Sequence, residues 1–151
     1  MKSMAGHTLL IVEDEANDRF LIQRALHKAQ IANPVQMTVD GEEAIAYLSG
    51  AGKFVDRAAH PVPMHVLLDL KLPRRSGLEV LTWIRASSRL KTLPVVVLTS
   101  SPDSFDVRRA YEAGANSYLV KPVDFEGLHR MIESVGLFWL VLSRLPEIEE
   151  S

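Results

Sequence analysis

The chain has 151 residues, a formal net charge of −2 at neutral pH and no cysteine. This length suits one domain with its own core, and the near-neutral charge gives no general attraction to nucleic acid or to anionic membranes. The missing thiols exclude disulfides and thiolate metal sites. No run approaches ~20 consecutive apolar residues, so we expect no membrane insertion. Because the N-terminus lacks the apolar core of a signal peptide, we predict a cytoplasmic location.

Hydrophobic patterning predicts alternating strands and helices in the first half of the chain. Residues 8–12 (TLLIV) form an apolar run that is typical of a strand buried on both faces, and residues 35–39 (VQMTV) are predicted to form a second strand. The apolar positions that indicate the first helix, at i, i+3, i+4 and i+7, are Ile22, Ala25, Leu26 and Ala29. The second helix is expected to start at Gly41, and its apolar positions are Ala44, Ile45 and Leu48. A loop at 49–63, long for a connection between elements, follows.

The same alternation continues to the C-terminal region. Strands are predicted at 66–68, 94–99 and 117–120, and a last helix is expected to open at Pro122. The apolar positions that indicate the three helices are Val80, Leu81 and Ile84, then Val107, Ala110, Tyr111 and Gly114, then Phe125, Leu128, Ile132 and Val135. A strict alternation of strand and helix predicts an α/β fold, with a parallel sheet covered by helices on both faces.

Polar side chains follow four of the five predicted strands. Glu13 and Asp14 end the first strand, Asp69 ends the third, Thr99 the fourth and Lys121 the fifth. The carboxyl ends of parallel strands share one edge of the sheet, where such folds bind ligands. Three carboxylates there would repel one another, so either some of them protonate or a cation sits among them, and oxygen ligands favour Mg²⁺. With a lysine suited to a phosphoryl oxygen, the set predicts a phosphoryl-binding site that uses Mg²⁺.

Four short motifs at these strand ends resemble those of the response regulator receiver domain of two-component signalling. They are VED at 12–14, LLDLKLP at 67–73, LTSS at 98–101 and VKP at 120–122. The resemblance covers roughly residues 7–145. It implies a single domain with a flavodoxin-like (βα)5 doubly wound parallel sheet, strand order 2-1-3-4-5. We expect disordered ends at 1–6 and, in an acidic segment, at 146–151.

The resemblance also implies a role for each acidic residue of the predicted site. Asp69 would accept the phosphoryl group from a sensor histidine kinase. Asp14 and Asp69 would bind Mg²⁺ directly, and Glu13 would bind it through water. The backbone carbonyl of Lys71 would be a further metal ligand.

The remaining positions are implied to respond to the phosphoryl group. Thr99 would form a hydrogen bond with that group, and Lys121 would pair with one of its oxygens, next to a cis bond to Pro122. Tyr118 would be an aromatic switch that changes rotamer with Thr99. The signal would then alter the face made by helix four, strand five and helix five. Such a protein is a phosphate acceptor that catalyses its own phosphotransfer and dephosphorylation, and not an ordinary enzyme.

The segment VGLFWLVL at 135–142 is apolar nearly all round its predicted helix. One apolar stripe would satisfy the sheet, so the rest of the segment needs a second cover. We predict a homodimer through helix four, strand five and helix five, in which Leu137, Phe138 and Val141 contribute contacts. The alternative is that the tail folds back onto its own domain.

The long loop at 49–63 and a last helix ending in FWLVLSRLP resemble the stand-alone regulators that work with bacterial phytochromes. This resemblance implies a bacteriophytochrome as the kinase. We expect no direct contact with nucleic acid, because no DNA-binding segment follows the predicted receiver. An alternative function is a receiver-fold interaction scaffold that is never phosphorylated. A haloacid-dehalogenase-type phosphatase is disfavoured, since it needs an acid two residues after the aspartate and Lys71 stands there.

Overall fold

The computed structural model describes residues 7–136 and Ile148, and these residues contain a five-stranded parallel sheet. The strands lie in the order β2-β1-β3-β4-β5, so the predicted flavodoxin-like single domain is confirmed. The strand bounds are β1 Leu9–Val12, β2 Val35–Thr38, β3 His65–Leu68, β4 Val95–Thr99 and β5 Ser117–Val120. The three inner strands are buried at every position, whereas the two edge strands are mostly half-buried, as their apolar runs predict.

Five helices cover the two faces of the sheet, and the alternation of side chains along each strand divides the core between them. Their bounds are α1 Ala16–Lys28, α2 Gly41–Ser49, α3 Gly77–Ala86, α4 Ser104–Glu112 and α5 Phe125–Val135. In β1, Leu9 and Ile11 face α1 and α5, while Leu10 and Val12 face the cluster formed with α2, α3 and α4. Both faces are therefore apolar and covered.

Two helix ends differ from the predicted ones. Helix α5 begins at Phe125 and not at Pro122, because the side chain of Asp124 accepts a hydrogen bond from the Gly127 N–H (2.7 Å) and caps the helix. Helix α4 ends before Gly114, whose φ of +107° is incompatible with a helix. The prediction that Tyr111 lies on the buried face of α4 is also wrong, since this residue is 48% exposed.

The long connection at 49–63 is packed against the domain. It contains one turn of 3-10 helix, Gly52–Phe54, whose phenylalanine is buried. The buried Tyr47 hydroxyl donates to the Pro61 carbonyl (2.8 Å), and the Arg57 guanidinium donates to carbonyl oxygens at the end of α2. The loop therefore covers the core beside α2.

Several sequence predictions lie outside the described residues. These are the disordered N-terminal segment 1–6 and the dimer contacts Leu137, Phe138 and Val141. Within the C-terminal segment only Ile148 is described, and it is half-buried against the core cluster on the α2, α3 and α4 side. In the described part of the chain, no helix combines the length and apolar character that a membrane crossing requires. The cytoplasmic location stays a prediction.

Candidate functional site

The two buried carboxylates of the site are placed by the strand ladders. The Glu13 N–H donates to the Thr38 carbonyl (3.1 Å), and the Asp69 N–H donates to the Val12 carbonyl (3.1 Å), so each residue extends its strand by one position. Glu13 is 1% exposed and Asp69 is 6% exposed. Carboxylates this deeply buried need a charged partner.

Glu13, Asp14 and Asp69 come together as a cluster that fits a divalent metal ion. Each offers a carboxylate oxygen, and these oxygens all lie within 4.8 Å of one another. Asp14 faces the solvent, whereas the other two are buried. Burial raises the pKa of Glu13 to about 7, although its hydrogen bond with Lys121 opposes the shift. Oxygen-only ligands with surplus negative charge match a hard divalent cation.

The Lys121 ammonium lies at the centre of the site. Its Nζ donates to Glu13 Oε1 (2.5 Å), Asp18 Oδ2 (2.9 Å) and Asp69 Oδ2 (3.0 Å). Burial alone would lower the pKa of Lys121, but the hydrogen bonds to Glu13 and Asp18 and the charge of Asp69 outweigh it, and the pKa lies above its ordinary value. The lysine therefore stays charged. Its contact with Asp18 was not predicted from the sequence.

The loop after β3 holds the second oxygen of Asp69. The Lys71 N–H donates to Asp69 Oδ1 (3.1 Å), so Lys71 and Lys121 each bind one oxygen of this carboxylate. The loop closes tightly at Gly77, whose N–H donates to the Leu70 carbonyl (3.0 Å) and where a Cβ would overlap the backbone carbonyl of Asp69. The role of the Lys71 carbonyl as a metal ligand stays a prediction.

Thr99 places an unpartnered hydroxyl at the same edge. The residue is fully buried, and its Oγ1 has no hydrogen-bond partner among the described residues. Its backbone carbonyl accepts from the Lys121 N–H (2.8 Å), which joins the ends of β4 and β5. Buried hydroxyls normally have a partner, so this one is available to a ligand.

Tyr118 connects β5 with the start of α4. Its hydroxyl donates to the Ser101 carbonyl (2.7 Å), and the Ser101 hydroxyl donates to Asp106 Oδ2 (2.6 Å). The ring is half-buried against the core cluster under α2, α3 and α4, and burial raises the pKa of its hydroxyl. The tyrosine is thus placed between the site and α4, while its role as a switch stays a prediction.

The bond between Lys121 and Pro122 is trans, as are the other described peptide bonds, so the predicted cis form is wrong here. The trans form is the intrinsically preferred one, by about 0.5–1 kcal/mol for a bond that precedes proline. The Lys121 side chain reaches all three of its carboxylate partners from this trans backbone.

Comparison with known proteins relates this site to a large family. The model of the response regulator receiver domain matches residues 9–133. The probable methanogenesis regulatory protein FilR2 of Methanothrix harundinacea is 41% identical over 138 residues, which cover 91% of this chain and 86% of the relative. Response regulator Rcp1 of Synechocystis sp. is 38% identical over 138 residues, which cover 91% of this chain and 92% of the relative.

Solved structures share the fold over nearly the whole length. The phosphorylated cyanobacterial phytochrome response regulator RcpA has a TM-score of 0.88 and 35% identity, covering 95% of this chain and 100% of its own. The Mn²⁺-bound form of response regulator Rcp1 has a TM-score of 0.84 and 37% identity, and the match covers 93% of this chain and 99% of Rcp1. The bacteriophytochrome response regulator RtBRR has a TM-score of 0.74 and 43% identity, and the match covers 93% of this chain and 84% of RtBRR. A divalent metal site on this fold therefore agrees with the carboxylate cluster seen here.

Proposed function

The chain belongs to the response regulator receiver domain family, and from that premise we propose that Asp69 is the residue that accepts the phosphoryl group. Receiver domains are regulators that act with a histidine kinase, and they are not enzymes in the usual sense. The observation that carries the proposal is the setting of Asp69: a buried carboxylate at the end of β3, inside an oxygen cluster that fits a divalent ion and beside a buried ammonium.

The chemistry follows from the two hydrogen bonds that hold Asp69. A carboxylate oxygen attacks the phosphorus of a phosphohistidine, so that a P–O bond forms as the P–N bond breaks. Lys71 and Lys121 fix the orientation of the carboxylate before the donor arrives. The Lys121 ammonium, which already donates to Asp69, and the unpartnered Thr99 hydroxyl at the end of β4 are then available as donors to the new phosphoryl oxygens.

We propose that the ion is Mg²⁺, which would be held by Asp14 and Asp69, by Glu13 through water and by the Lys71 carbonyl. The set contains only oxygen ligands, for which Mg²⁺ is the usual cellular choice. When bound, this ion offsets the charge that spreads over the phosphoryl oxygens. The three carboxylates supply surplus negative charge for it, since the Lys121 ammonium pairs with Glu13 and Asp69 and not with Asp14.

Phosphorylation would be read out through Thr99 and Tyr118. A phosphoryl oxygen that accepts from the Thr99 hydroxyl draws this side chain toward Asp69. The Tyr118 ring and its bond to the Ser101 carbonyl lie between that threonine and α4. The proposal is that the face made by α4, β5 and α5 changes between two states as these side chains move.

The same face is the proposed homodimer interface. On α4, Phe105 is 58% exposed and Tyr111 is 48% exposed, and Val120 at the end of β5 is 37% exposed. Exposed large apolar side chains on one face are candidates for interface contacts. Light scattering after size exclusion, with and without beryllofluoride, should give a dimer mass that Phe105→Glu reduces. A monomer under both conditions would exclude the dimer.

The kinase is proposed to be a bacteriophytochrome, on the basis of the likeness to RcpA and RtBRR. The likeness to FilR2, whose name concerns methanogenesis, makes a direct test necessary. A purified bacteriophytochrome kinase, phosphorylated first, should pass its label to this chain faster than a histidine kinase that senses another signal. Equal transfer rates from the two kinases would contradict the assignment.

The mass of the intact protein after incubation with acetyl phosphate and Mg²⁺ tests the acceptor. The wild type should gain one phosphoryl group, and EDTA should prevent the gain. Asp69→Asn should gain nothing, whereas Asp56→Asn, at an exposed aspartate of the loop beside α2, should behave as the wild type. A wild type that neither gains mass nor binds beryllofluoride would overturn the proposal.

A further inference from the structure

A fourth acidic residue, Asp18, reaches the site from the first turn of α1. Its Oδ2 lies 2.9 Å from Lys121 Nζ, across 103 positions of sequence. The Asp18 side chain is 33% exposed, while that of Lys121 is 12% exposed. Asp18 does not belong to the carboxylate cluster that fits the metal, which consists of Glu13, Asp14 and Asp69.

The Lys121 ammonium has three protons and three carboxylate acceptors. Glu13 and Asp69 have a second task, since both belong to the metal cluster and Asp69 is the proposed acceptor. Once a metal ion and a phosphoryl group are bound, the oxygens of these two residues are directed to new partners. Asp18 is the one acceptor of the three that neither event engages. Its bond to the ammonium can therefore persist throughout the reaction.

We propose that Asp18 is a positioning residue that anchors the Lys121 ammonium beside the phosphoryl group. The inference rests on the proposed role of Asp69 as the acceptor. A lysine ammonium sits on a flexible four-carbon stem and loses side-chain entropy when it is fixed. A charge-assisted hydrogen bond to a residue on a helix holds it in place before the phosphoryl donor arrives.

The first turn of α1 holds Asp18 in a defined position. The neighbouring Arg19 donates from Nη1 to the backbone carbonyl of Glu13 (2.8 Å), which ties the helix to the end of β1. A carboxylate in the first turn also interacts favourably with the positive end of the helix dipole. Asp18 is thus held at a fixed distance from the strand ends that carry Glu13 and Asp69.

The test is the rate of phosphorylation by acetyl phosphate with saturating Mg²⁺, followed by mass. Asp18→Asn should react about tenfold more slowly than the wild type, the factor expected for one lost hydrogen bond between charged groups. Asp18→Glu should recover part of the rate. Glu15→Gln removes a negative charge from the same end of α1 without touching the ammonium, and it should leave the rate unchanged.

A double-mutant cycle shows whether Asp18 acts through Lys121. In a Lys121→Met background, Asp18→Asn should cause no further loss of rate. The side-chain ammonium signal of Lys121 in ¹H–¹⁵N spectra should be observable in the wild type and broadened in Asp18→Asn. The affinity for Mg²⁺ should stay the same in Asp18→Asn, because Asp18 is not a ligand.

Three outcomes overturn the inference. One is a rate for Asp18→Asn equal to the wild-type rate, in a wild type that does accept the phosphoryl group. Another is a faster Asp18→Asn, which would mean that Asp18 competes with the phosphoryl group for the ammonium. The third is a further loss of phosphorylation rate when Asp18→Asn is added to Lys121→Met. A wild type that accepts no phosphoryl group overturns the role of Asp69 instead, which the Asp69→Asn control identifies.

Discussion

Two cations, Arg85 and Lys121, lie at opposite ends of the strands, and their hydrogen-bond acceptors are of different kinds. Arg85, at the end of α3, donates to the carbonyls of Gly114 (2.9 Å) and Leu93 (2.7 Å) and to the side-chain oxygen of Asn116 (2.8 Å). These acceptors are neutral, and burial lowers the pKa of Arg85. Lys121 instead donates to three carboxylates, and its pKa is raised.

The difference separates a cation with a structural role from the cation of the proposed site. Arg85 joins the ends of three elements through neutral oxygens, so nothing in its surroundings calls for a further ligand. Around Lys121, three carboxylates share one ammonium, and the Thr99 hydroxyl has no partner in the described part of the chain. Surplus charge and an unsatisfied donor cost stability, and they are kept where a ligand supplies the missing partners.

The largest effect on stability should come from Arg85→Met. This change leaves several carbonyl oxygens without donors, and the free energy of unfolding should fall by about 3 kcal/mol. Phosphorylation per folded molecule should be unchanged. Urea unfolding measures the first quantity and intact mass the second, with Arg108→Met at an exposed position of α4 as control. Loss of phosphorylation in folded Arg85→Met would break the comparison.

Metal binding at the carboxyl ends of the strands, far from Arg85, should also stabilise the protein. At a Mg²⁺ concentration 100-fold above its dissociation constant, the free energy of unfolding should rise by about 2.7 kcal/mol. The gain should be equal in Arg85→Met and absent in Asp14→Asn. Urea unfolding in Mg²⁺ and in EDTA measures it. A gain that survives in Asp14→Asn would place the ion elsewhere.

Asp69→Asn should raise the free energy of unfolding of the metal-free protein by about 1 kcal/mol, because it removes one carboxylate from the cluster of Glu13, Asp14 and Asp69. The amide oxygen can still accept from the Lys71 N–H. Urea unfolding in EDTA checks the sign, with Asp56→Asn as the matched control. A destabilised Asp69→Asn would mean that the bond to Lys121 outweighs the repulsion.

Thr99→Val should have the smallest effect on stability. The substitution keeps the shape and removes a buried hydroxyl that has no partner, so the free energy of unfolding should rise by about 0.5 kcal/mol. The variant should still accept a phosphoryl group but fail to shift the Tyr118 resonances when beryllofluoride is added. A drop in stability would reveal a partner for this hydroxyl in solution.

The sequence predicted those parts of the site that depend on chain order alone. The ends of β1, β3, β4 and β5 follow from apolar runs and alternation, and in a parallel sheet these ends bring Glu13, Asp69, Thr99 and Lys121 to one edge. The strand order was implied by the resemblance to receiver domains. Asp18 was missed because its contact with Lys121 depends on how α1 is placed over the sheet, and no periodic pattern encodes that placement. Asp18 also precedes the apolar positions from which the first helix was predicted.

The errors in the helices have physical causes as well. Asp124 carried a capping signal that a search for apolar positions overlooked, so α5 was predicted to begin too early. Helix α4 buries a narrow stripe centred on Ala110, and the apolar spacing extended it to Tyr111 and Gly114. An exposed aromatic residue can have the same spacing along a helix as a core residue.

Strand β5 is an edge strand, so the side of the site that it forms is held by fewer neighbours than the sides formed by β1 and β3. Strands β1 and β3, which are followed by Glu13 and Asp69, each pair with a strand on both sides, whereas β5 pairs among the described residues with β4 alone. The backbone at Glu13 and Asp69 should therefore be held more rigidly than the backbone at Tyr118 and Lys121. The displacement that follows the proposed phosphorylation should therefore be larger at β5 and the neighbouring α4 than at Asp69.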